Sequence, residues 1–286
     1  MQDIGHKTLA PEGIPLREYL LARFIYFHGY RPHLSALVTF NEMILHRLLF
    51  DRRPLLTMFA DKIAVREYVR QKLRSTRHLT KIYRIFDKPD DLYAFEFPPR
   101  FVLKANHGSG WNYIHAQATH VNVTRLARLS RRWLESNYAY KGGEWAYLDV
   151  QPKLFCEEYL GTDQGCPIDY KFFCFAGKVR FIQADFDRHT AHTRNMYDCD
   201  WNLLDVQYHY PRKPDAAGRP GNLSEMKSIA EQLSDGMDFV RVDLYDLGDR
   251  IVFGELSNYP EAGGARFYPA EWDWTFGCYW HLATSQ

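Results

Sequence analysis

Two hairpin-shaped stretches, residues 169–182 and 240–260, constrain this chain most, because an antiparallel sheet is the simplest way to accommodate both. In the first, alternation runs up to Ala176-Gly177 and resumes beyond it, which predicts two strands joined by a tight turn, with Asp169 and Lys171 on one face. An acid and a base there also suit a plain cross-strand pair. In the second, Val240-Arg241-Val242-Asp243-Leu244-Tyr245 and Ile251-Val252-Phe253-Gly254-Glu255-Leu256-Ser257-Asn258-Tyr259-Pro260 flank the turn-like Asp246-Leu247-Gly248-Asp249-Arg250. Alternation sets Arg241 and Asp243 opposite Val240, Val242 and Leu244, and sets Glu255 on the face of Phe253. Two acids at facing strand ends outline a divalent-metal site, and an arginine beside them would stabilise an anion that the metal also touches. The competing reading is a sheet edge with solvated charges.

The first third of the chain reads as helical and the remainder as strand-rich, with the change near Asp87-Lys88-Pro89-Asp90-Asp91. Thr39-Phe40-Asn41-Glu42 is a capping-box pattern opening a helix that carries Met43, Ile44, Leu45, Leu48 and Leu49, and Pro54 is expected to end it. Asp61 is expected to cap a helix reaching about Leu73, with the basic run Arg66 to Arg77 as a solvated face. A third helix is expected from Thr124, its cap, to Tyr140. Pro211 to Gly221, rich in Pro, Gly and charge, reads as an exposed, mobile loop.

Composition excludes several classes. Lys and Arg number 36 against 35 Asp and Glu, a net charge of +1, which argues against a polyanion binder and hence against nucleic acid. The 16% aromatic share suits a packed core and an amphipathic cleft rather than disorder. Cys156, Cys166, Cys174, Cys199 and Cys278 are odd in number and form no CxxC, so reduced thiols are expected rather than zinc or a disulfide framework. No apolar run reaches membrane-spanning length, and Met1 to Lys7 lacks the regions of a signal peptide, so the expectation is a cytoplasmic protein. Oligomeric state is left open.

Two further segments carry chemistry. Pro98 to Asn112 is a short apolar strand running into His107-Gly108-Ser109-Gly110; such a loop exposes backbone N–H groups, and Lys104 at the strand end adds a fixed positive charge, so together they suit a polyphosphate. Neither GxxxxGK[ST] nor GxGxxG is present, and a tight turn with a snorkelling lysine is the alternative. Leu154-Phe155-Cys156-Glu157-Glu158-Tyr159-Leu160-Gly161 ends a strand in adjacent glutamates, which away from water must find donors, for example a ligand's amino and hydroxyl groups.

This order of parts, Lys with a small-residue loop, a Glu-rich hinge, a hairpin, then Arg-x-Asp and a Glu-bearing strand ending in Pro, resembles the ATP-grasp superfamily, and more closely the TupA-like ATP-grasp family of cell-surface polysaccharide biosynthesis. The resemblance runs from Asp61-Lys62-Ile63-Ala64-Val65-Arg66-Glu67-Tyr68-Val69 through residues 101–112, 169–175, 197–202 and 254–264. It implies an α+β fold of two lobes with antiparallel sheets enclosing ATP, preceded by a helical portion. In chain terms these are 1–90 helical, 91–152 a small nucleotide-lid lobe, and 153–286 a metal and substrate lobe.

Residue by residue, the resemblance implies that Lys104 contacts the nucleotide phosphates and that His107, Gly108, Ser109 and Gly110 form the lid. Glu157, Glu158, Tyr159 and Leu160 would be the adenine hinge, Asp169 the ribose-binding acid, despite the insertion Thr162 to Pro167, and Lys171 a phosphate contact. Arg241 would support the transferred phosphoryl group, Asp243 and Glu255 would hold magnesium, or manganese in its stead, and Ser257 or Asn258 would complete the shell where peptide-ligase members carry Glu-x-Asn. The implied reaction is ATP-dependent carboxylate–amine ligation through an acyl phosphate, with an acidic sugar or peptide precursor and an amine as partners, and Arg188 and Arg194 as grips on the acid. The alternatives are an ATP-grasp kinase acting on a sugar hydroxyl, a glycosyltransferase using Asp198 and Asp200 of a DxD pattern, and a non-catalytic polysaccharide-binding module.

Overall fold

A computed structural model describes residues 14–161, 165–187 and 191–282. Four helices lead: α1 Leu16–His28, α2 Phe40–Phe50, α3 Pro54–Ala60 and α4 Val65–Leu73. The capping box forms as expected, Thr39 accepting from the Glu42 N–H while Glu42 accepts from the Thr39 N–H. Pro54 behaves differently from expectation: α2 has already ended at Phe50, and the proline opens α3, where its missing N–H costs nothing. Asp61 accepts from the N–H groups of Ile63 and Ala64 at 2.8 and 3.2 Å, one turn ahead of α4.

The strands β1 Ile82–Phe86, β2 Phe101–Ala105, β3 Asn112–His115 and, beyond the helices α5 Val123–Glu135 and α6 Ala139–Gly142, β4 Leu154–Glu158 build an antiparallel sheet in the order β1-β4-β2-β3. This sheet therefore draws strands from both sides of residues 91–152. The cap of α5 is Asn122, not Thr124, and the helix stops at Glu135 because Ser136 is extended. Leu126, Ala127 and Trp133 of α5 join Phe86, Phe101, Leu103 and Leu154 in a small core of their own.

The second sheet comprises β5 Asp169–Phe175, β6 Lys178–Phe186 and β7 Thr193–Tyr197, then, after β8 Gln207–Tyr208 and α7 Leu223–Ser234, β9 Phe239–Asp246 and β10 Ile251–Ser257. All pairings are antiparallel, in the order β10-β9-β5-β6-β7. Ala176 and Gly177, both at positive φ, make the two-residue turn between β5 and β6, a backbone that glycine adopts without strain. A short pair, β8 with β11 Phe267–Tyr268, and the last helix, α8 Glu271–Gly277, complete the chain.

Face assignment explains how the site is held. On β5 and β9 the residues Tyr170, Phe172, Cys174, Val240, Val242 and Leu244 share one side, and α7 covers that sheet with Met226, Ile229, Ala230 and Leu233. The other side changes character halfway along. At one end Phe173, Phe175 and Phe239 meet Phe40 of α2 and, for Phe173, Phe276 of α8. At the other end stand Lys171, Asp169, Arg241 and Asp243. Arg47 clamps this arrangement from α2: its guanidinium is buried, reaches Asp238 at 2.8 Å and the Phe239 carbonyl at 3.0 Å, and lies over the Trp280 ring. The 211–221 loop is tied down by Trp201 Nε1 donating to the Ala217 carbonyl and Ala217 N–H donating to the Tyr197 hydroxyl.

Candidate active site

Two cavities lie beside the charged half of that face. The larger, 660 Å³, runs between the two sheets and is walled by Lys62, Lys104 and Glu157 from one side and Tyr245, Phe253 and Gly254 from the other. The smaller, 420 Å³, is more polar and includes Lys171, Arg194, Arg241, Glu255 and Ser257. Asp185 borders both.

In the larger cavity, Lys104 and Glu157 form an ion pair between neighbouring strands β2 and β4. Glu157 also accepts from Thr80 Oγ1 at 2.6 Å, and Arg66 donates to that hydroxyl at 3.0 Å. The donors demanded by the buried glutamate thus come from the chain itself, and Arg66, expected on a solvated face, lines the cavity instead. Glu158 accepts from Arg250 at 2.8 Å and from the Lys81 N–H at 2.8 Å. Tyr159 and Leu160 follow it in the wall.

The loop after β2 is anchored at its base. His107 is 1% exposed, its Nε2 lies 3.0 Å from the Trp133 carbonyl, and burial pushes its imidazole below the ordinary range. Lys62 Nζ donates to the Gly108 carbonyl at 2.5 Å. Ser109 and Gly110, by contrast, are exposed. Gly108 packs directly under the Trp111 ring, where a Cβ would collide.

Below the cleft, Lys171 Nζ sits 2.6 Å from Asp169 Oδ2 and 2.5 Å from Asp243 Oδ2. Arg241 binds Asp243 through Nε and Nη2, and its Nη2 also reaches Ser257 Oγ at 2.9 Å and Glu255 Oε1 at 3.3 Å. Burial works against the Arg241 charge, but the carboxylates of Asp243 and Glu255 outweigh it and hold the guanidinium protonated beyond its ordinary range. Asp169 is 1% exposed and, like Asp243, stands behind the cavity walls as a counter-ion to Lys171.

Glu255 stands opposite Asp243 because the ladder slips at Gly254: Phe253 pairs with Leu244 and Glu255 with Asp243. The plain alternation expected between Phe253 and Glu255 therefore fails, and a bulge aligns the two acids. Ser257 Oγ lies 3.2 Å from Glu255 Oε1, whereas Asn258 turns its Nδ2 to the Leu56 carbonyl at 2.7 Å. The bulge thus precedes Glu255, and Ser257 and Asn258 both line the smaller cavity with it. The Asn258 Oδ1 is buried with no hydrogen-bond partner among the described residues.

These oxygens suit a hard divalent cation by donor type: two carboxylates, a hydroxyl and an amide oxygen. Among the described residues no three acids, histidines or cysteines are already grouped as a metal cage, and Arg241 occupies Asp243 and Glu255. A cation would share these ligands with, or displace, the guanidinium.

In the smaller cavity Arg194 is buried and pairs with Asp185 at 2.6 Å and Glu261 at 3.0 Å. Burial alone would raise the Asp185 carboxyl, yet Arg194 holds it well below the usual carboxylate range. His192 lines the wall and stacks on Tyr210. Arg188 lies outside the described residues. Asp198 accepts from the N–H groups of Asp200 and Asn202 and from Asn202 Nδ2, and neither Asp198 nor Asp200 lines either cavity, so nothing in its geometry favours the DxD reading. Residues that the sequence reading gave no role, Lys62, Arg66, Thr80, Asp185 and Glu144, reach the cavities through long-range packing; only Lys62 and Arg66 fell in a stretch that carried the resemblance.

The family model described as TupA-like ATP-grasp matches residues 42–281, and the chain belongs to that family. No match was found among the curated proteins. Among solved structures the chain is similar to a D-alanine–D-alanine ligase from Bacillus anthracis complexed with ATP, at 14% identity and TM-score 0.41, over 71% of this chain and 55% of that one. It is likewise similar to a D-alanine–D-alanine ligase from Helicobacter pylori, at 11% identity and TM-score 0.44, over 80% and 60%, and to an L-amino acid ligase from Bacillus licheniformis, at 12% identity and TM-score 0.47, over 86% and 56%. The chain thus spans less than two thirds of these structures. Among its described residues no helix is long and apolar enough to cross a membrane.

Proposed function

We propose that this chain is an ATP-dependent carboxylate–amine ligase working through an acyl phosphate, and that it joins an amino acid or amine to a carboxylate of a surface-polysaccharide or peptide precursor. The observation that carries the reading is the pair of neighbouring cavities that share Asp185, the larger suited to a nucleotide and the smaller, polar and lined by Lys171, Arg241 and Glu255, to an acceptor. ATP would lie in the larger, with Glu157, Glu158, Tyr159 and Leu160 as hinge, Lys104 and Lys62 on its phosphates, and residues 107–110 as the lid. The lid lobe, 91–152, would be completed by β1 and β4 from either side.

Asp243 and Glu255, with Ser257 beside them, would hold magnesium, which neutralises charge on the phosphates. Arg241 and Lys171 would offset the charge that accumulates on the moving phosphoryl group, with Lys171 held by Asp169. The acid's carboxylate oxygen attacks the γ-phosphorus and ADP leaves; the amine then attacks the carbonyl carbon of the acyl phosphate, loses a proton and expels phosphate. No nucleophilic side chain is required. Arg194 and Arg188 remain the candidates for gripping the acid, although Arg194 is already engaged by two carboxylates.

The test is thermal stability with AMP-PNP and magnesium, followed by ADP release on screening acids and amines together. Stabilisation by nucleotide that Glu255→Ala removes supports the reading. No stabilisation by nucleotide, or stabilisation by a UDP-sugar with manganese alone, overturns it.

A further inference from the structure

The smaller cavity contains a carboxylate that nothing above uses. Gly143, at φ 72, ends α6 in the left-handed conformation and turns the chain so that Glu144 enters the cavity wall. Glu144 is 9% exposed, and among the described residues no hydrogen bond or ion pair reaches its carboxylate. Of the other three acids in this wall, Asp185 and Glu261 share Arg194, and Glu255 meets Arg241. Arg23, also in the wall, is near enough to feel the charge of Glu144, yet it spends its Nη1 on the Ala262 carbonyl at 2.5 Å.

A buried carboxyl left without a partner is costly, so a site that keeps one open is complete only with a cation or donor brought from outside. A metal is a poor candidate, because no cage of three ligands forms here among the described residues. An ammonium group needs no cage: it donates three hydrogen bonds and tolerates acids at uneven distances. Glu144 also shares the cavity with Ser109 of the lid and with Tyr138, whose hydroxyl bonds to Ser109. A group held at Glu144 would therefore sit under the lid and in the same chamber as Arg241 and Glu255.

We infer that Glu144 anchors the amine partner of the reaction, receiving its primary ammonium group in the 420 Å³ cavity and thereby selecting an amine-bearing acceptor over a neutral hydroxyl one. Burial, reinforced by Glu255 and Glu261 and opposed by Arg23 and Lys62, raises the carboxyl to about 8, so the arriving cation supplies the charge that its surroundings withhold. The inference rests on the ligase reading and adds the residue that recognises the amine.

The experiment is calorimetric titration of the full chain, loaded with magnesium and AMP-PNP, with glycinamide, L-alaninamide and L-lysinamide, and with their N-acetylated counterparts. Wild type should bind at least one free amine, and its fully N-acetylated form at least about tenfold more weakly. Glu144→Gln should weaken the free amine by at least about tenfold while leaving AMP-PNP affinity unchanged, and Glu144→Asp should fall between. Equal binding of the acetylated probe, amine binding insensitive to Glu144→Gln, or no amine binding by nucleotide-loaded wild type would each overturn the inference. Failure of wild type to bind AMP-PNP at all would instead remove the ligase reading beneath it.

Discussion

Arg241 grips Asp243 from two positions back on the same strand, Nε to Oδ1 at 2.7 Å and Nη2 to Oδ2 at 2.8 Å. Because Lys171 holds the same carboxylate, Asp243→Asn would leave two buried cations short of a counter-charge, a loss of about 3–5 kcal/mol. That variant should lose both turnover and stability. Glu255, whose side chain is 37% exposed, has a smaller structural role, so Glu255→Ala should abolish ATP turnover with a melting temperature within about 3 °C of wild type. Steady-state ADP release and calorimetric melting of both variants check the contrast. Retained turnover in both would remove the metal assignment.

Lys104→Ala should weaken AMP-PNP binding by about tenfold or more, since a charge-assisted contact to phosphate contributes roughly 1.5–3 kcal/mol. Glu157 keeps its Thr80 hydrogen bond in that variant, so the sheet should remain intact. Titration calorimetry reads the affinity and circular dichroism the fold; an unchanged dissociation constant would take the β2 strand end out of the nucleotide site.

The pH dependence of stability should expose Glu144. Its carboxyl is raised from 4.5 to about 8, mainly by burial, so its contribution is fully present below the ordinary carboxylate range and is lost as pH rises through about 8. Glu144→Gln removes this dependence. The unfolding free energy of wild type, read from denaturant unfolding at each pH, should therefore fall relative to the variant between pH 5 and 8.5, by an amount on the order of a few kcal/mol at most. A constant difference across that range would mean that the group does not titrate as its burial demands.

Gly277→Ala should be the costliest glycine-to-alanine change among the described residues. A Cβ there would collide with the Val38 carbonyl and the backbone of Thr39 and Phe40, where α8 meets the start of α2. Backbone on both sides gives little room to relax, so a loss of about 2–4 kcal/mol is expected in denaturant unfolding. Wild-type stability in this variant would mean that the two helices are less closely apposed.

Local chemistry was readable from the sequence and long-range chemistry was not. The Thr39-Glu42 box, the Ala176-Gly177 turn and the shared face of Arg241 and Asp243 depend on residues within a few positions of one another, and they stand as expected. The one-residue slip at Gly254 has no signature beyond the glycine itself, yet it decides that Glu255 meets Asp243. Pro54 could be assigned to a helix end or a helix start, and only packing distinguished them. Arg66 and Glu144 gave no signal because their settings depend on strands and loops far along the chain. The partner of Glu157 was misjudged for the same reason: Thr80 is 77 positions away.

The half-and-half face of β5 and β9 bears on how such a centre keeps its shape. Lys171 and Arg241 are each two residues from a phenylalanine packed beneath α2, along strands that are interior to their sheet. The charged cluster is thus the polar tip of a wedge whose shaft is driven into hydrocarbon. Moving a charge by an ångström would mean levering aromatic rings out of contact, so the ionic arrangement inherits its precision from van der Waals packing instead of from its own mutual attractions.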